Sequence, residues 1–272
     1  MNILHITPFY PPYIGGEERH VYNLVRHQRI LGNNLHVITS NFPREDFTQK
    51  EVTRLPILCK PKLVPICPTI LRYLHAVKSD VIHAHTPPRF FAEAATFYNL
   101  FEKSRPLVMT YHLHNEGLGS LDTAIWKVHN YLVLRRVFQN AKRVIVLTQS
   151  YQNLVKDAFQ VNLEKIRVIP NGVDDQVFDP GKYPTESCRR VFDISSDKVI
   201  LFLGRLVKEK GVDHLLRMLQ TIRKEIPDVM LLIVGDGKEE DNLKTLCRQL
   251  DLCSNVRFMG KLPDEDVPRV LS

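Results

Sequence analysis

Two basic residues follow an apolar pentapeptide in the second half of the chain. Residues 199–203 (VILFL) are apolar throughout, which is typical of a parallel strand buried on both faces. Gly204 permits a sharp turn before Arg205, and Lys210 and Gly211 precede an amphipathic stretch. Open α/β sheets bind ligands where parallel strands end, and helix starts bind anions. The spacing therefore predicts a phosphate or diphosphate site with Arg205 and Lys210 as its cations; a plain turn with two solvated cations is the alternative.

A glycine pair near the N-terminus precedes another predicted helix. Gly15 and Gly16 end a proline-rich loop, and residues 17–31 follow with helical periodicity. Bare backbone N–H groups at a helix start are suited to an anion. The segment is not G-x-G-x-x-G, so a dinucleotide fingerprint is absent. An anion site and a plain turn both remain open.

Histidines alternate at the ends of two predicted strands. His83 and His85 close one strand, and His112 and His114 follow the next. Alternate residues of a strand share a face, so four imidazoles could converge on a metal. No carboxylate pattern accompanies them, which favours polar strand ends or a single histidine that acts on a ligand hydroxyl. We therefore expect no metal.

The elements that must position these residues alternate between strand and helix. Predicted strands lie at residues 2–7, 35–39, 51–55, 80–84, 107–111, 143–147 and 166–169, separated by predicted helices at residues 17–31, 88–101, 121–138 and 151–159. Such alternation indicates an α/β fold with a doubly wound parallel sheet. Within it we expect Trp126 in the core and Ser150 as a helix cap.

A second α/β pattern begins after a polar segment. Predicted strands at residues 199–203, 229–234 and 255–259 alternate with helices at 212–226 and 239–252, and a last helix starts near residue 262 with Asp264 as its cap. The sequence thus predicts an N-terminal domain over residues 1–175, a linker over 176–197 and a C-terminal domain over 198–272.

Composition excludes several classes of protein. The 272 residues are 44% hydrophobic and 25% charged, an ordinary soluble composition, and no run of 18 apolar residues predicts a membrane span. The N-terminus reads as a strand and not as a signal peptide. Five cysteines without a C-x-x-C favour a reduced, cytoplasmic protein.

Charge is unevenly distributed along the chain. Residues 1–175 carry 21 Lys and Arg against 14 Asp and Glu, whereas residues 176–272 carry 16 of each. The basic first part predicts an anionic partner, either a membrane surface or an acidic acceptor; chance is the alternative. The proline-rich segment 55–75 reads as a surface loop, with an interfacial membrane segment as the alternative. No basic run is interleaved with aromatic residues, so nucleic acid is not expected.

The second pattern stops in mid-helix at Ser272. Three parallel strands make a small sheet that would expose apolar surface. We therefore expect a fragment or truncated form of a longer protein, with association into oligomers through the exposed partial sheet as one consequence.

Six segments in order resemble the family 4 glycosyltransferases, which have the GT-B fold of two facing Rossmann-like domains. They are residues 8–12 (PFYPP) with 15–16 (GG), 83–85 (HAH), 110–112 (TYH), 168–174 (VIPNGVD), 203–206 (LGRL) with 210–211 (KG), and 233–237 (IVGDG). The resemblance covers the whole chain. It implies a complete N-terminal Rossmann-like domain and a partial C-terminal one.

The resemblance implies transfer of a sugar from a nucleotide-sugar donor to an acceptor, with retention at the anomeric carbon and no essential metal or other cofactor. Arg205 and Lys210 would hold the donor diphosphate and stabilise the leaving group. His112 would lie near the transferred sugar or the acceptor hydroxyl. The first domain would carry the acceptor, and its positive charge would suit an anionic lipid at a membrane periphery. The donor-binding glycines would be Gly15, Gly16, Gly235 and Gly237.

One departure from the family concerns the E-x7-E motif, whose carboxylate contacts the donor sugar. The family places it beyond the point where this sequence stops, so we expect a chain truncated before that motif, with half a donor site and little activity alone. A non-catalytic binding or assembly subunit is the main alternative. An epimerase or phosphorylase-like enzyme and a metal hydrolase that uses the H-x-H pairs are the others.

Overall fold

A computed structural model of the chain describes residues 1–13, 15–43, 49–60, 64–86, 90–102, 105–112 and 130–272. It divides into two compact units, Met1–Gly172 and Val173–Ser272. The predicted boundary at residue 175 therefore lies three residues beyond the observed division. Residues 176–197, expected as a linker, instead belong to the second unit and contain a helix.

The first unit is built on a parallel sheet of seven strands: β1 (Asn2–Ile6), β2 (Asn34–Ser40), β3 (Val52–Leu55), β4 (Val81–Thr86), β5 (Leu107–Tyr111), β6 (Arg143–Val146) and β7 (Ile166–Val168). The strand order is β3-β2-β1-β4-β5-β6-β7. The order reverses direction between β1 and β4, and ligands of open α/β sheets bind at the strand ends beside such a switch point. His5 lies opposite His83 across this pair.

The crossover helices of the first unit are α1 (Gly16–Ile30), α2 (Ile70–Ala76), α3 (Phe91–Phe101), α4 (Arg135–Asn140) and α5 (Gln149–Phe159), with a π-helical turn at Asn130–Leu134 and a 3-10 turn at Leu163–Lys165. Val21 and Val25 of α1 belong to one buried cluster. Phe138 and Phe159 belong to a larger one with Tyr111 of β5. Parallel strands joined by such helices form the expected doubly wound architecture.

Three local predictions for the first unit change. Segment 55–75, predicted as a loop, contains most of α2. The cap of α5 is Thr148, whose Oγ1 accepts a hydrogen bond from the Tyr151 amide at 3.2 Å, and not Ser150. The predicted helix 121–138 is observed from residue 130 onward as a π-helical turn followed by α4; Trp126 and His114 lie outside the described residues.

The second unit has three parallel strands, β8 (Val199–Leu203), β9 (Met230–Val234) and β10 (Val256–Gly260), in the order β10-β9-β8. Its helices are α6 (Thr185–Val191), α7 (Val212–Glu225), α8 (Glu240–Gln249) and α9 (Val267–Val270), with 3-10 turns at Pro180–Lys182 and Lys208–Lys210. Val212, Leu216 and Leu219 of α7 are buried, as its apolar stripe predicts.

Strand β8 is not buried on both faces, contrary to the prediction. Within the described residues it pairs with β9 alone, its first four residues are half-buried, and Leu203 is 41% exposed. The central strand β9 has the expected burial instead. The last helix begins at Val267 after Asp266, so Asp264 is not its cap residue.

Among the described helices, none combines the length and the hydropathy that a membrane crossing requires.

Candidate functional site

Arg205 lies on a loop that backbone hydrogen bonds fix on both sides. The Gly204 amide donates to the Val234 carbonyl at 2.9 Å, and the Leu206 amide donates to the Asp236 carbonyl at 2.7 Å. The Leu206 side chain is fully buried. The backbone that carries Arg205 is therefore held at the carboxyl end of β8.

Gly235 and Gly237 make this arrangement sterically feasible. Both have positive φ, +132° and +157°, which side-chain-bearing residues rarely adopt. A Cβ atom at Gly235 would overlap the Gly204 carbonyl, and one at Gly237 would overlap the Leu206 carbonyl. The family resemblance implies a donor-binding role for these glycines, which stays a prediction. In the structure they also let the β9–α8 loop pack against the Arg205 loop.

Arg205 and Lys210 lie on the same loop between β8 and α7, and both are exposed. Within the described residues, neither forms an ion pair with a carboxylate. Gly211, at φ +63°, follows Lys210 and precedes α7, a helix of 14 residues without a side-chain cap. Two cations and a helix N-terminus create a local positive potential that suits a diphosphate.

Imidazole rings gather at the carboxyl edge of the first unit's sheet, beside the β1/β4 switch point. We call this group the histidine cluster; it comprises His5, His20, His83, His85 and His112. The His83 and His85 rings stack at a centroid distance of 4.4 Å, which confirms that the two share a face. The His20 ring lies 4.9 Å from the His112 ring. The cluster lies at the sheet edge where the fold binds ligands.

Hydrogen bonds connect most of the cluster. His5 Nδ1 lies 3.1 Å from His85 Nε2, and His85 Nδ1 lies 3.1 Å from His112 Nε2. His5 Nε2 lies 2.7 Å from Gln28 Oε1. His83 Nε2 bonds separately to Thr110 Oγ1 at 2.7 Å. Buried polar groups with partners of this kind are stable without charge.

Burial keeps these rings neutral. It lowers the pKa of His5 to about 4 and that of His112 to about 3. It holds the pKa values of His83 and His85 well below the ordinary range, and the neighbouring histidines add to the effect. The pKa of His20 is lowered for the same reason. Desolvation disfavours the charged imidazolium, so the cluster holds hydrogen-bonding imidazoles at neutral pH.

Two sets of three ring nitrogens within the cluster lie within 4.8 Å of one another, a spacing that a transition metal could use. Both nitrogens of His85, which belongs to both sets, already have hydrogen-bond partners in His5 and His112. A metal would have to displace those bonds. The arrangement therefore favours a hydrogen-bonded network over a metal centre.

Gly15 and Gly16 lie at the start of α1 in the same unit. Gly15 is the N-cap residue, with extended backbone at φ −157°, and forms no side-chain cap. A Cβ atom at Gly16 would meet nothing within 4 Å, whereas one at Gly15 would overlap the Glu18 carboxylate, which therefore lies against the start of α1. Burial, reinforced by Glu18, raises the pKa of the Glu17 carboxyl well above its ordinary value.

Sequence reasoning missed three members of the network: His5, His20 and Gln28. The position of His5 near the end of β1 could have indicated its place in the cluster, because β1 and β4 are neighbours and His5 is in register with His83. His20 comes from the second turn of α1, which no local pattern connects to β5.

Two family models match the chain. The Glycosyltransferase Family 4 model matches residues 14–177, and the model for Glycosyl transferases group 1 matches residues 185–272. The first model ends five residues beyond the end of the first structural unit. The second model lies entirely within the second unit.

Curated relatives span the whole chain. The phosphatidylinositol N-acetylglucosaminyltransferase GPI3 subunit of Saccharomyces cerevisiae is 27% identical over 99% of the chain and 60% of its own length. A human relative, also named as a subunit of phosphatidylinositol N-acetylglucosaminyltransferase, is 25% identical over 99% of the chain and 55% of its own length. The chain thus spans between half and two thirds of these relatives.

Solved structures show the same fold. Anabaena HepE in complex with UDP and glucose has a TM-score of 0.70 at 21% identity, covering 100% of this chain and 71% of its own. WaaG, a glycosyltransferase of lipopolysaccharide biosynthesis, has a TM-score of 0.73 at 17% identity, covering 99% and 72%. Both units thus have the Rossmann-like architecture of GT-B proteins. With a family model that matches more than half of its residues, the chain belongs to glycosyltransferase family 4.

Proposed function

We propose that this protein is a retaining glycosyltransferase that moves a sugar from a nucleotide-sugar to an acceptor hydroxyl. One observation carries the proposal: Arg205 lies on a loop fixed by hydrogen bonds on both sides, with exposed Lys210 on the same loop and no carboxylate paired to either among the described residues. Cations fixed in advance stabilise charge that develops in a transition state without reorganising.

In this reaction the bond between the anomeric carbon and a diphosphate oxygen breaks, and a bond to the acceptor oxygen forms. The bonding electrons leave with the nucleoside diphosphate, and the hydroxyl proton is released. Negative charge grows on the diphosphate, where Arg205 offers a planar guanidinium and Lys210 a compact ammonium. A donor-binding role for Gly15 and Gly16 stays a prediction, and no metal is required.

Nucleotide binding tests this proposal. Thermal shifts of the chain are measured with UDP-, GDP- and ADP-sugars, for the wild type and for Arg205→Ala and Lys210→Ala. Each substitution should abolish the shift that the preferred nucleotide-sugar gives, and EDTA should not. Lys224→Ala is the matched control, because it removes the same charge from the exposed C-terminal turn of α7. If both loop variants keep the wild-type shift, the diphosphate assignment is wrong.

We further propose a phosphatidylinositol lipid as the acceptor. The names of the yeast and human relatives specify phosphatidylinositol, and a Mycolicibacterium smegmatis relative, 28% identical over 61% of the chain, is a phosphatidylinositol monomannoside mannosyltransferase. Such a headgroup is anionic, and the net charge of +7 lies within residues 1–175. The transfer assay compares phosphatidylinositol with its soluble headgroup and with neutral diacylglycerol; preference for diacylglycerol would exclude this acceptor.

An exposed apolar surface on α2 and α3 supports peripheral membrane binding. It comprises Leu71, Tyr73, Phe97, Leu100 and Phe101, and the last is 75% exposed. The two helices pack against each other, and a cleft between them is lined mainly by apolar side chains. Arg72 is exposed on α2 beside this surface. Apolar side chains with cations nearby suit an anionic bilayer.

Vesicle co-sedimentation tests the membrane surface. Phe101→Asp should reduce binding to phosphatidylinositol-containing vesicles at least tenfold, since inserting the phenylalanine contributes on the order of 2 kcal/mol. Leu163→Asp is the control, because Leu163 is also half exposed but lies in the 3-10 turn before β7. Equal loss in both variants would assign the effect to net charge and remove this surface from the proposal.

A second candidate function is that of a non-catalytic binding or assembly subunit. The names of the yeast and human relatives call them subunits, which favours this alternative. Light scattering across a range of protein concentrations distinguishes the two. Concentration-dependent association without sugar transfer would favour the subunit, whereas turnover by the monomer would favour the enzyme.

A further inference from the structure

A chain of hydrogen bonds runs from α1 to the end of β5 through the histidine cluster. Gln28 Oε1 lies 2.7 Å from His5 Nε2, and His5 Nδ1 lies 3.1 Å from His85 Nε2. His85 Nδ1 then lies 3.1 Å from His112 Nε2. His5 and His85 are fully buried, and His112 is partly exposed. The chain therefore connects the half-buried Gln28 amide to an imidazole at the carboxyl edge of the sheet.

The direction of every bond follows from the first one. The Gln28 side chain presents its oxygen to His5, and an amide oxygen only accepts, so with this amide orientation His5 Nε2 carries a proton. A neutral imidazole has one N–H and one lone pair, so His5 Nδ1 accepts and His85 Nε2 donates. By the same rule His85 Nδ1 accepts from His112 Nε2. The remaining nitrogen of His112, Nδ1, keeps its lone pair.

We propose that Gln28, acting through His5 and His85, fixes His112 in the tautomer with the proton on Nε2, so that Nδ1 accepts a hydrogen bond from a substrate hydroxyl. Gln28, His5 and His85 are positioning residues in this scheme. The identity of the hydroxyl, on the donor sugar or the acceptor, rests on the proposed function; the tautomer does not.

The surroundings of His112 support an orienting role over that of a base. Burial lowers its pKa to about 3, and His20 adds to the effect. A group that binds protons so weakly does not take one at neutral pH, but its lone pair still accepts a hydrogen bond. The His112 amide donates a hydrogen bond to the Thr86 carbonyl at 2.9 Å, which holds the backbone of His112 in place.

The second branch of the cluster leaves this chain undisturbed. His83 bonds to Thr110 Oγ1, and it contacts His85 only by stacking. Its hydrogen bond therefore does not compete for the nitrogens of His5 or His85. Among the described residues no hydrogen bond to His112 Nδ1 is formed, so that nitrogen is available to a ligand.

The test reads the tautomer directly. Long-range 1H–15N correlation spectra of the 15N-histidine-labelled chain distinguish protonated from bare ring nitrogens, and a His112→Asn spectrum assigns the signals. We expect His112 with a protonated Nε2 and a bare Nδ1 at pH 7.5. A proton on Nδ1, or on both nitrogens, would overturn the proposal.

Two substitutions at Gln28 test its control over the chain. Gln28→Glu keeps an oxygen that only accepts and should leave the His112 tautomer unchanged. Gln28→Lys supplies a donor that should reverse each bond and move the proton of His112 to Nδ1. An unchanged tautomer in a folded Gln28→Lys protein would show that Gln28 does not set it. If the Gln28→Lys protein does not fold, the wild-type spectrum still decides the tautomer of His112. Gln28→Met, which offers His5 no acceptor, then replaces Gln28→Lys. A single His112 tautomer in the Gln28→Met protein would refute control by Gln28.

Nucleotide-induced thermal shifts measured on the same variants separate the two proposals. If the tautomer is as expected but no nucleotide-sugar shifts the melting temperature, the glycosyltransferase proposal fails and the positioning network stands. If the nucleotide shift is present and the tautomer is reversed, only the network is wrong.

Discussion

Mild acid should unfold the first unit while the second remains folded. The five rings of the histidine cluster have lowered pKa values because they are buried. The second unit contains one histidine, His214, whose side chain is 79% exposed. Acidification is thus a perturbation that acts on one unit and leaves the other as an internal reference.

The sign and size of the effect follow from proton linkage. An unfolded histidine takes up its proton near pH 6.5, whereas folded His5 does so only near pH 4. Between these values the unfolded state binds one more proton, so the free energy of unfolding falls as pH falls, by about 1.4 kcal/mol per pH unit. Over the whole window His5 alone accounts for about 3 kcal/mol.

His112 acts in the same direction down to about pH 3, and His83 and His85 add to it. His5 and His112 together give a slope of about 3 kcal/mol per pH unit between pH 6.5 and 4, and His83 and His85 act in the same direction. Since domains are stable by roughly 5–15 kcal/mol, about two to three pH units below 6.5 should unfold the unit.

Hydrogen exchange with mass spectrometry at pH 7.5, 6.0 and 5.0, corrected for intrinsic exchange rates, gives the stability of each unit separately. Protection of β1, β4 and β5 should fall steeply, and that of β9 should change little. His5→Gln should reduce the pH dependence of the unfolding free energy by about one proton relative to wild type. His75→Gln, which changes an exposed side chain, should not reduce it. Equal loss in both units, or a first unit still protected at pH 4, would refute the assignment of neutral buried histidines.

Three further predictions concern stability. Gly237→Ala should destabilise the second unit by about 2 kcal/mol or more, because Gly237 has a φ of +157° and the new Cβ atom would overlap the Leu206 carbonyl. Gly172→Ala is the control, since a Cβ atom there would meet open space. Equal losses of stability for the two variants in urea unfolding would contradict the packing role of Gly237. Thr148→Ala should cost about 1 kcal/mol as the lost cap of α5, and thermal unfolding should show no such loss for Ser150→Ala. Phe138→Ala should cost about 3–5 kcal/mol, since the ring is fully buried; a loss below 1 kcal/mol in urea unfolding would show that this core is not tightly packed.

The order of strands and helices could be predicted from the sequence because each element carries its own periodicity. Strand β5 was predicted with its observed bounds, and α1 and α7 to within about one residue at each end. The spacing of their apolar residues matches either the helical period or the strand period, and only the matching element places those residues on one buried face. Caps were less predictable: Thr148 and Ser150 are both good capping residues, and backbone geometry selects between them.

The burial of β8 could not be predicted, because it depends on neighbours. An apolar pentapeptide is equally compatible with the centre and the edge of a sheet, and strand order places β9 at the centre. The packing of Gly235 and Gly237 shows the same limit. It depends on their neighbours Gly204 and Leu206, some thirty residues earlier, which no local pattern reveals, and their predicted donor-binding role stays a prediction.

The sequence by itself determined the two α/β patterns, the cations at the end of β8 and the resemblance to family 4 glycosyltransferases, since each lies within a contiguous stretch of residues. Only the tertiary structure decided how His5, His20 and Gln28 join His85 and His112. Those residues come from α1, β1, β4 and the end of β5, and strand order alone brings them to one edge. Local spacing reports which face of an element a side chain occupies, whereas hydrogen-bond partners up to 80 residues apart depend on which strands are adjacent.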